Sequence, residues 1–438
     1  MKRIIIICLL GSTIVFAQQK ILTLQESLDL GLKNSKELRI AQTKLITAGA
    51  KVTESTSQLL PQLKFSASYT RLSNVPPFEI VFPPFITNPI TVSQTILNNY
   101  TLKLSLQQPL FTGFKLWSLK AAAGENYKAE ESSYNSSVND AALNIETAFW
   151  NYYKVKQLKS VLDENLKLIK KHLDDTRNFL ANGLATQNDV LKLEVEYSNI
   201  QLQIIDAENN VDIARLNFNR ILSLPLQSNT DINIKSMDTS FINYNIGDIL
   251  KEAENKRNDL KALEHRITAS DKGITAANGG WFPSIFLIGD YYYSKPNQRY
   301  FPVVNEFKNT WDVGITLQWD IWNWGLTSSQ VTTAEQTKIQ TQTAYEQLKD
   351  AIGVEVYQAY LNYSRTLKKV KVSRQSVEQA DENYRIIQDK YDQQVATSTD
   401  LIDAEVSVRQ AKTNLTNSLV DFQLAKVQLE KAIGKKLY

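Results

Sequence analysis

A chain that makes or breaks covalent bonds needs a nucleophile, a proton-transfer group or a metal held at defined spacing. Candidates here are few. The single cysteine, Cys8, lies in an apolar run at the very start. The two histidines, His172 and His265, stand alone in separate helical stretches, which excludes a zinc pair at helical spacing. They read as ordinary surface or interface residues. No glycine-rich loop followed by Lys and Ser or Thr is present, so the chain cannot itself draw on nucleotide energy. Asp163, Glu164, Asp174 and Asp175 read as solvated helix faces. The carboxylates in the most suggestive places are Asp189, Asp400 and Asp403. Thr186-x-x-Asp189 and Thr397-x-x-Asp400 read as helix capping boxes with Asp in the usual Glu place, and the helix dipole favours acidic groups in a first turn. Asp403 lies beyond the box, so capping does not account for it. Spaced i, i+3, Asp400 and Asp403 share one side of a helix. None of this describes an enzyme, a metal site or a bound cofactor.

Met1-Lys2-Arg3, an apolar run from Ile4 to Phe16 and the small residue Ala17 make a secretory signal peptide over 1–17, cut after Ala17. The run is too short to cross a bilayer as a helix. Cys8 leaves with it, so no disulfide and no thiolate are expected in the mature chain, and Cys8 sits too early for a lipid anchor. The 49 basic and 46 acidic side chains nearly balance, which gives no overall pull toward nucleic acid. No later stretch carries the roughly 18–20 apolar residues of a membrane helix. An exported chain of this kind is periplasmic, secreted, or held in an outer membrane as a barrel.

The elements that must position those carboxylates are written twice. At an offset of 211, Leu106-Gln107 falls on Leu317-Gln318, Tyr134 on Tyr345, and Ala148–Tyr152 on Ala359–Tyr363. Ala185-Thr186, Asp189 and Glu194 fall on Ala396-Thr397, Asp400 and Glu405. Upstream the offset is 222, pairing Pro61 with Pro283 and Tyr69 with Tyr291, so the second copy lacks 11 residues in between. A length change belongs in a surface loop. All 11 prolines lie at 61–109, at 225 or at 283–302, leaving two long stretches free to be helix.

Strict alternation follows Pro61. Leu63, Phe65, Ala67 and Tyr69 point one way; Lys64, Ser66, Ser68 and Thr70 point the other. The same period recurs from Tyr100 to Gln107, from Ile285 to Tyr291 and from Trp311 to Gln318. About ten residues of period two, polar on one face, suit a transmembrane strand. We expect strands at about 63–73, 98–108, 284–294 and 310–320. Phe111, Phe114 and Trp117 in one copy, and Trp319, Trp322 and Trp324 in the other, sit where amphipathic rings favour a membrane boundary. Four strands cannot close a barrel, since about eight is the practical minimum, and lipid forbids an open edge. A dimer would pool eight strands and fill its interior with side chains. A trimer would pool twelve and leave room for a channel, and the trimer is favoured.

Each second strand runs into helix. Long helical hairpins are expected over about 114–222 and 325–433, the first arm reaching roughly 100 Å. Val190, Leu193, Tyr197, Ile200, Ile204, Ala207, Val211, Ala214, Phe218 and Ile221 keep a heptad seam, and Leu401–Ala432 repeats it. The domain plan is therefore a first repeat at 18–224, a linker at 225–245 and a second repeat at 246–438.

With this plan the sequence resembles the TolC-type outer-membrane efflux proteins over nearly the whole mature chain. The resemblance rests on the duplication, on Pro109-Leu110-Phe111 at the strand-to-helix join, and on two helix-turn-helix tips. The tips read Asn182-Gly183-Leu184-Ala185-Thr186-Gln187-Asn188-Asp189-Val190 and Gln394-Val395-Ala396-Thr397-Ser398-Thr399-Asp400-Leu401. It implies a mainly α fold with a transmembrane β part: a homotrimer whose twelve-stranded barrel, set in outer-membrane lipid, is continued by a periplasmic helical barrel. Residues 225–245, with the strand-like Asp231–Ile234, would form its equatorial belt. Gly183, Leu184, Ala185, Thr186, Val395, Ala396 and Thr397 would meet a periplasmic adaptor (membrane fusion) protein. An inner-membrane pump would supply the energy. The resemblance makes Asp400 and Asp403 an acidic pair lining a closed entrance, where threefold symmetry would gather six carboxylates that attract multivalent cations. Asp189 and Tyr391 match a pair that bonds across neighbouring coils. The arginine that joins this lock in some members is Ala396 here. A non-conducting periplasmic or surface coiled-coil protein is the alternative, and it would be soluble without detergent.

Overall fold

Duplication is visible in the backbone torsions. Eight described residues have φ in the left-handed region, and they form four pairs 211 positions apart: Gly113 with Trp324, Phe114 with Gly325, Gly183 with Gln394, and Ser223 with Gly434. Left-handed torsions disfavour any residue with a Cβ, so a spacing shared by four residue pairs at three joins reflects one chain path used twice. The computed structural model describes residues 20–438 apart from 94, 235, 236, 238 and 239; the expected signal peptide lies outside the described residues.

The first half runs β1 (Lys20–Leu22), α1 (Leu24–Asn34), α2 (Lys36–Ser57), β2 (Gln62–Arg71), β3 (Phe78–Phe82), β4 (Ile86–Ser93), β5 (Asn98–Thr112), α3 (Lys115–Ala181) and α4 (Gln187–Ile221). The second runs β6 (Thr230–Ile232), α5 (Ile246–Lys256), α6 (Asn258–Asn278), β7 (Ser284–Lys295), β8 (Lys308–Gln318), α7 (Leu326–Asp392) and α8 (Ser398–Ala432). The chain's contacts divide it into two units, and neither is a sequence repeat. One gathers 43–132 and 261–347; the other gathers the described part of 1–42 with 133–260 and 348–438.

The first of these units holds one antiparallel sheet in the order β2-β5-β7-β8. Its register sets Phe65 opposite Leu104, Leu104 opposite Tyr291, and Tyr291 opposite Trp311, so the apolar positions of all four strands share a face. Side chains alternate along a strand, so the polar positions share the other face. Beyond Gln107, the last residue of β5 opposite β2, the ladder shifts register between Pro109 and Phe111. Proline has no N–H to give, and it sits where β5 has already lost its partner on that side. The 11 residues missing from the second copy fall where β3 and β4 form a separate hairpin. The length difference alone placed that stretch in a surface loop, whereas Phe78–Phe82 and Ile86–Ser93 pair as strands there.

The second unit is coil and core. Phe149, Trp150, Tyr152, Phe218, Leu222 and Val420 are buried together with Leu22 and Leu28. β1 pairs in parallel with β6, Lys20 opposite Thr230, and the Tyr152 hydroxyl donates to Thr230 O at 3.1 Å. On α8 the heptad seam is buried at Leu401, Ala404, Val408, Ala411, Ser418, Phe422, Ala425, Leu429 and Ala432. β1 and β6 lie far apart in the chain, and no local pattern announces such a pairing.

Candidate functional site

Two faces of the sheet differ in kind. On the apolar face Phe65, Trp311, Val313 and Ile315 are 66%, 70%, 66% and 68% exposed. An exposed apolar surface this continuous is costly in water and marks a face meant for an apolar neighbour. The polar face carries ion pairs. Lys103 Nζ lies 2.9 Å from Asp290 Oδ2, the Tyr292 hydroxyl donates to the same oxygen at 3.2 Å, and Arg299 pairs with Asp312. Among the described residues, neither edge strand, β2 nor β8, has a partner on its outer side.

At the two strand-to-helix joins, consecutive left-handed residues turn the chain: Gly113-Phe114 before α3, and Trp324-Gly325 before α7. At the first join the backbones almost touch, since a Cβ on Gly113 would lie 2.4 Å from Gly279 O. The join aromatics face outward. Phe114, Trp117, Trp319, Trp322 and Trp324 are exposed, while Phe111 is half-buried with its ring edge-on to Phe114 at 5.4 Å. Trp322 and Trp324 are likewise edge-on at 5.7 Å, and the Trp319 indole donates to Trp281 O at 3.2 Å.

Both helical tips are built by the capping chemistry expected. Thr186 and Asp189 exchange bonds across the start of α4, and Thr397 and Asp400 do so at α8. Capping therefore occupies Asp189 and Asp400, and it leaves Asp403 an exposed side chain one turn on. Asp189 Oδ1 also accepts from Ser398 Oγ at 2.7 Å, and Lys192 Nζ donates to Thr399 Oγ at 2.9 Å, which ties one tip to the other. The Ser398 hydroxyl, with the Thr186 hydroxyl and N–H, holds the Asp189 carboxyl below its ordinary range. The Thr397 hydroxyl and N–H do the same for Asp400. Tyr391 is buried, and its hydroxyl pairs with Thr176 Oγ at 2.6 Å. Asp189 lies near enough for its charge to reinforce burial in raising the Tyr391 phenol. Gly183, Leu184, Thr186, Val395 and Thr397 are exposed, and Ala185 and Ala396 are half-exposed. Gly183 ends α3 in a left-handed turn, where its Cβ would meet open space.

The family model for outer membrane efflux proteins matches residues 28–223 and 249–435 of this chain.

The chain belongs to the outer membrane efflux protein family.

It is 23% identical over 414 residues to the outer membrane protein TolC of Escherichia coli, covering 92% of this chain and 80% of that one. Among solved structures, the outer membrane protein VceC from Vibrio cholerae superposes with a TM-score of 0.75 at 17% identity, covering 95% of this chain and 97% of its own. A membrane protein from Pseudomonas aeruginosa superposes at 0.77 with 19% identity over 94% of this chain and 93% of its own. The efflux family places the protein in the outer membrane, extending through the periplasm, as a channel for export. Its relatives are channel proteins, and nothing supports the non-conducting alternative.

Sequence reasoning missed two features of this efflux channel. Asp290 follows a run of apolar residues, and only the fold shows it opposite Ser105 and within 2.9 Å of the diagonal Lys103 Nζ. His172 reads as an isolated histidine, yet it is buried against Tyr384 and Glu405 from the second repeat. No spacing in one repeat carries that contact.

Proposed function

We propose that three copies of this chain pool their sheets into one twelve-stranded barrel in outer-membrane lipid. The observation that carries this is a four-stranded sheet with a bare apolar face and two open edges. Lipid satisfies the face, and only neighbouring copies can satisfy the edges. The rings of Phe111, Phe114, Trp117, Trp319, Trp322 and Trp324 lie at the membrane boundary, where amphipathic aromatics are most favourable. Residues 1–17 direct export and are then removed. The repeats at 18–224 and 246–438 supply equivalent halves of the tunnel wall, with 225–245 as its equatorial belt.

The helical hairpins cross the periplasm as a tunnel. Gly183, Leu184, Ala185, Thr186, Val395, Ala396 and Thr397 meet a periplasmic adaptor protein, and an inner-membrane pump supplies energy and selects the substrate. The channel is passive and carries out no covalent step. Asp400 and Asp403, brought around a threefold axis, form the closed entrance, and Asp189 and Tyr391 brace it. Asp403 is the sharper test because no cap engages it. In planar bilayers the wild type conducts and is blocked by trivalent cations added from the periplasmic side. Asp403→Ala raises the half-blocking concentration roughly tenfold, equivalent to about 1.4 kcal/mol of ion binding. Unchanged block in that variant removes Asp403 from the entrance, and absence of conductance in the wild type removes the channel reading.

A further inference from the structure

Helices α3, α7 and α8 bury a titratable pair that neither the caps nor the heptad seam requires. His172 and Glu405 are 2% and 3% exposed. His172 Nε2 lies 3.0 Å from Glu405 Oε1 and 3.0 Å from the Tyr384 hydroxyl, and the aligned hydrogen bond is the one to Tyr384. Among the described residues, no hydrogen bond is aimed at either carboxylate oxygen of Glu405. One turn along α3, Thr176 donates to His172 O at 2.7 Å and pairs with Tyr391. Beside Glu405 lies a cavity of about 90 Å³, with Asn165, Tyr384 and Arg409 in its wall.

An ionised carboxylate taken out of water without donors is strongly disfavoured. Here a neutral imidazole does not cure that. Its Nε2 either donates to Tyr384 or accepts from it, and in both cases Glu405 gains no aligned partner. One further proton resolves the conflict, either on the carboxyl or as an imidazolium 3.0 Å away.

We infer that His172 and Glu405 form a proton-binding site whose occupancy clamps α3 to α7 and α8. The surrounding charges come from every packed helix. Glu164 of α3, Asp381 of α7, and Arg409 and Lys412 of α8 line the cavity. From α4, Glu196 accepts from Arg409 at 3.1 Å, and Asn165 of α3 accepts from the same guanidinium at 2.8 Å. Burial first, then the charges of Glu405 and Asp392, push the Tyr384 phenol up to about 12, so Tyr384 stays neutral throughout. Loss of the proton leaves a buried anion, and the cavity has room for water to reach it. Wetting that anion loosens α7 and α8 from α3. This consequence rests on the reading of the helical tips as the gate: the clamp holds at lower pH, and opening is favoured as pH rises and the proton is lost.

Two readouts on the purified full-length protein test this between pH 5.5 and 8.5. One is hydrogen exchange in the last turns of α7, corrected for intrinsic rates; the other is open probability in planar bilayers. Both are measured in a Glu146→Gln background, because burial, reinforced by Glu430, pushes the Glu146 carboxyl up to about 7. With the pair intact, exchange and opening rise with pH, limited to about tenfold per unit for one linked proton. Glu405→Gln flattens both to within about twofold at a clamped level, and Glu405→Asp keeps the slope. If Glu405→Gln does not assemble, Glu405→Leu serves, with loss of the same slope expected because no buried carboxyl remains to take the proton. A slope unchanged in these variants, or no slope with the pair intact, overturns the proposal. If the exchange pattern holds without any conductance, the proton site stands and the gate reading fails. If conductance is gated but indifferent to Glu405, the reverse is true.

Discussion

Val313→Arg is expected to abolish the assembled protein in the outer membrane, while Thr316→Arg on the same strand is tolerated. Val313 lies opposite Gly289 on the apolar face and is 66% exposed in the single chain. Thr316 faces the other side. An arginine on the lipid face of a barrel costs about 2–4 kcal/mol near the midplane. Three copies in one barrel bring that to roughly 6–12 kcal/mol, comparable with the whole stability of a typical domain. On the polar face the same side chain meets water and costs little. The measurement is the heat-modifiable trimer in outer-membrane extracts run unboiled and boiled. Equal yields from the two variants would mean that the two faces do not see lipid and water as assigned.

Gly113→Val is expected to remove folded product almost as completely, while Gly183→Val leaves it nearly intact. Both glycines hold a left-handed φ, +61° and +73°, Gly113 between a strand and a helix and Gly183 between two helices. They differ in what a side chain would meet. A Cβ at Gly113 would lie 2.4 Å from Gly279 O and 2.9 Å from Phe282 Cβ, whereas a Cβ at Gly183 would have nothing within 4 Å among the described residues. Backbone cannot swing aside as a flexible side chain can, so the clash adds to the torsional penalty, together about 2–5 kcal/mol per chain. At Gly183 only the torsional part remains, about 1–2 kcal/mol. Protease resistance of the purified proteins reads the difference. Similar losses at both sites would show that torsion alone, and not the close approach of β5 to the Gly279 turn, governs the join.

What the sequence disclosed follows how local each signal is. The four sheet strands were legible because alternation such as Leu63-Lys64-Phe65-Ser66 is complete within a few residues. The α8 seam was legible because its apolar positions recur at three and four, and the structure buries them. The caps at Thr186 and Thr397 were legible because donor and acceptor lie three residues apart. The hairpin of β3 and β4 was missed because the length difference there read as a surface loop, although Phe78-Glu79-Ile80 does alternate. The parallel pairing of β1 with β6 and the meeting of His172 with Glu405 join distant parts of the chain, and no window of sequence contains both partners. The proposed acidic entrance would have a further reason for being faint in one sequence. A ring around an axis belongs to several chains, and a single chain carries only its arc.

In the proposed barrel, internal duplication also sets where neighbouring copies would meet. Within one chain, β5 pairs with β7 so that Leu104 lies opposite Tyr291. Carried across the offsets of 211 and 222, that junction becomes β8 against the next copy's β2, with Ile315 opposite Tyr69. Cys8 is the only cysteine in the sequence, so Ile315→Cys with Tyr69→Cys, joined in intact outer membranes by a short thiol crosslinker, reports this seam alone. The expected product is a covalent ladder that ends at three chains. A ladder that stops at two, or no product beyond the single chain, would contradict a barrel shared by three copies.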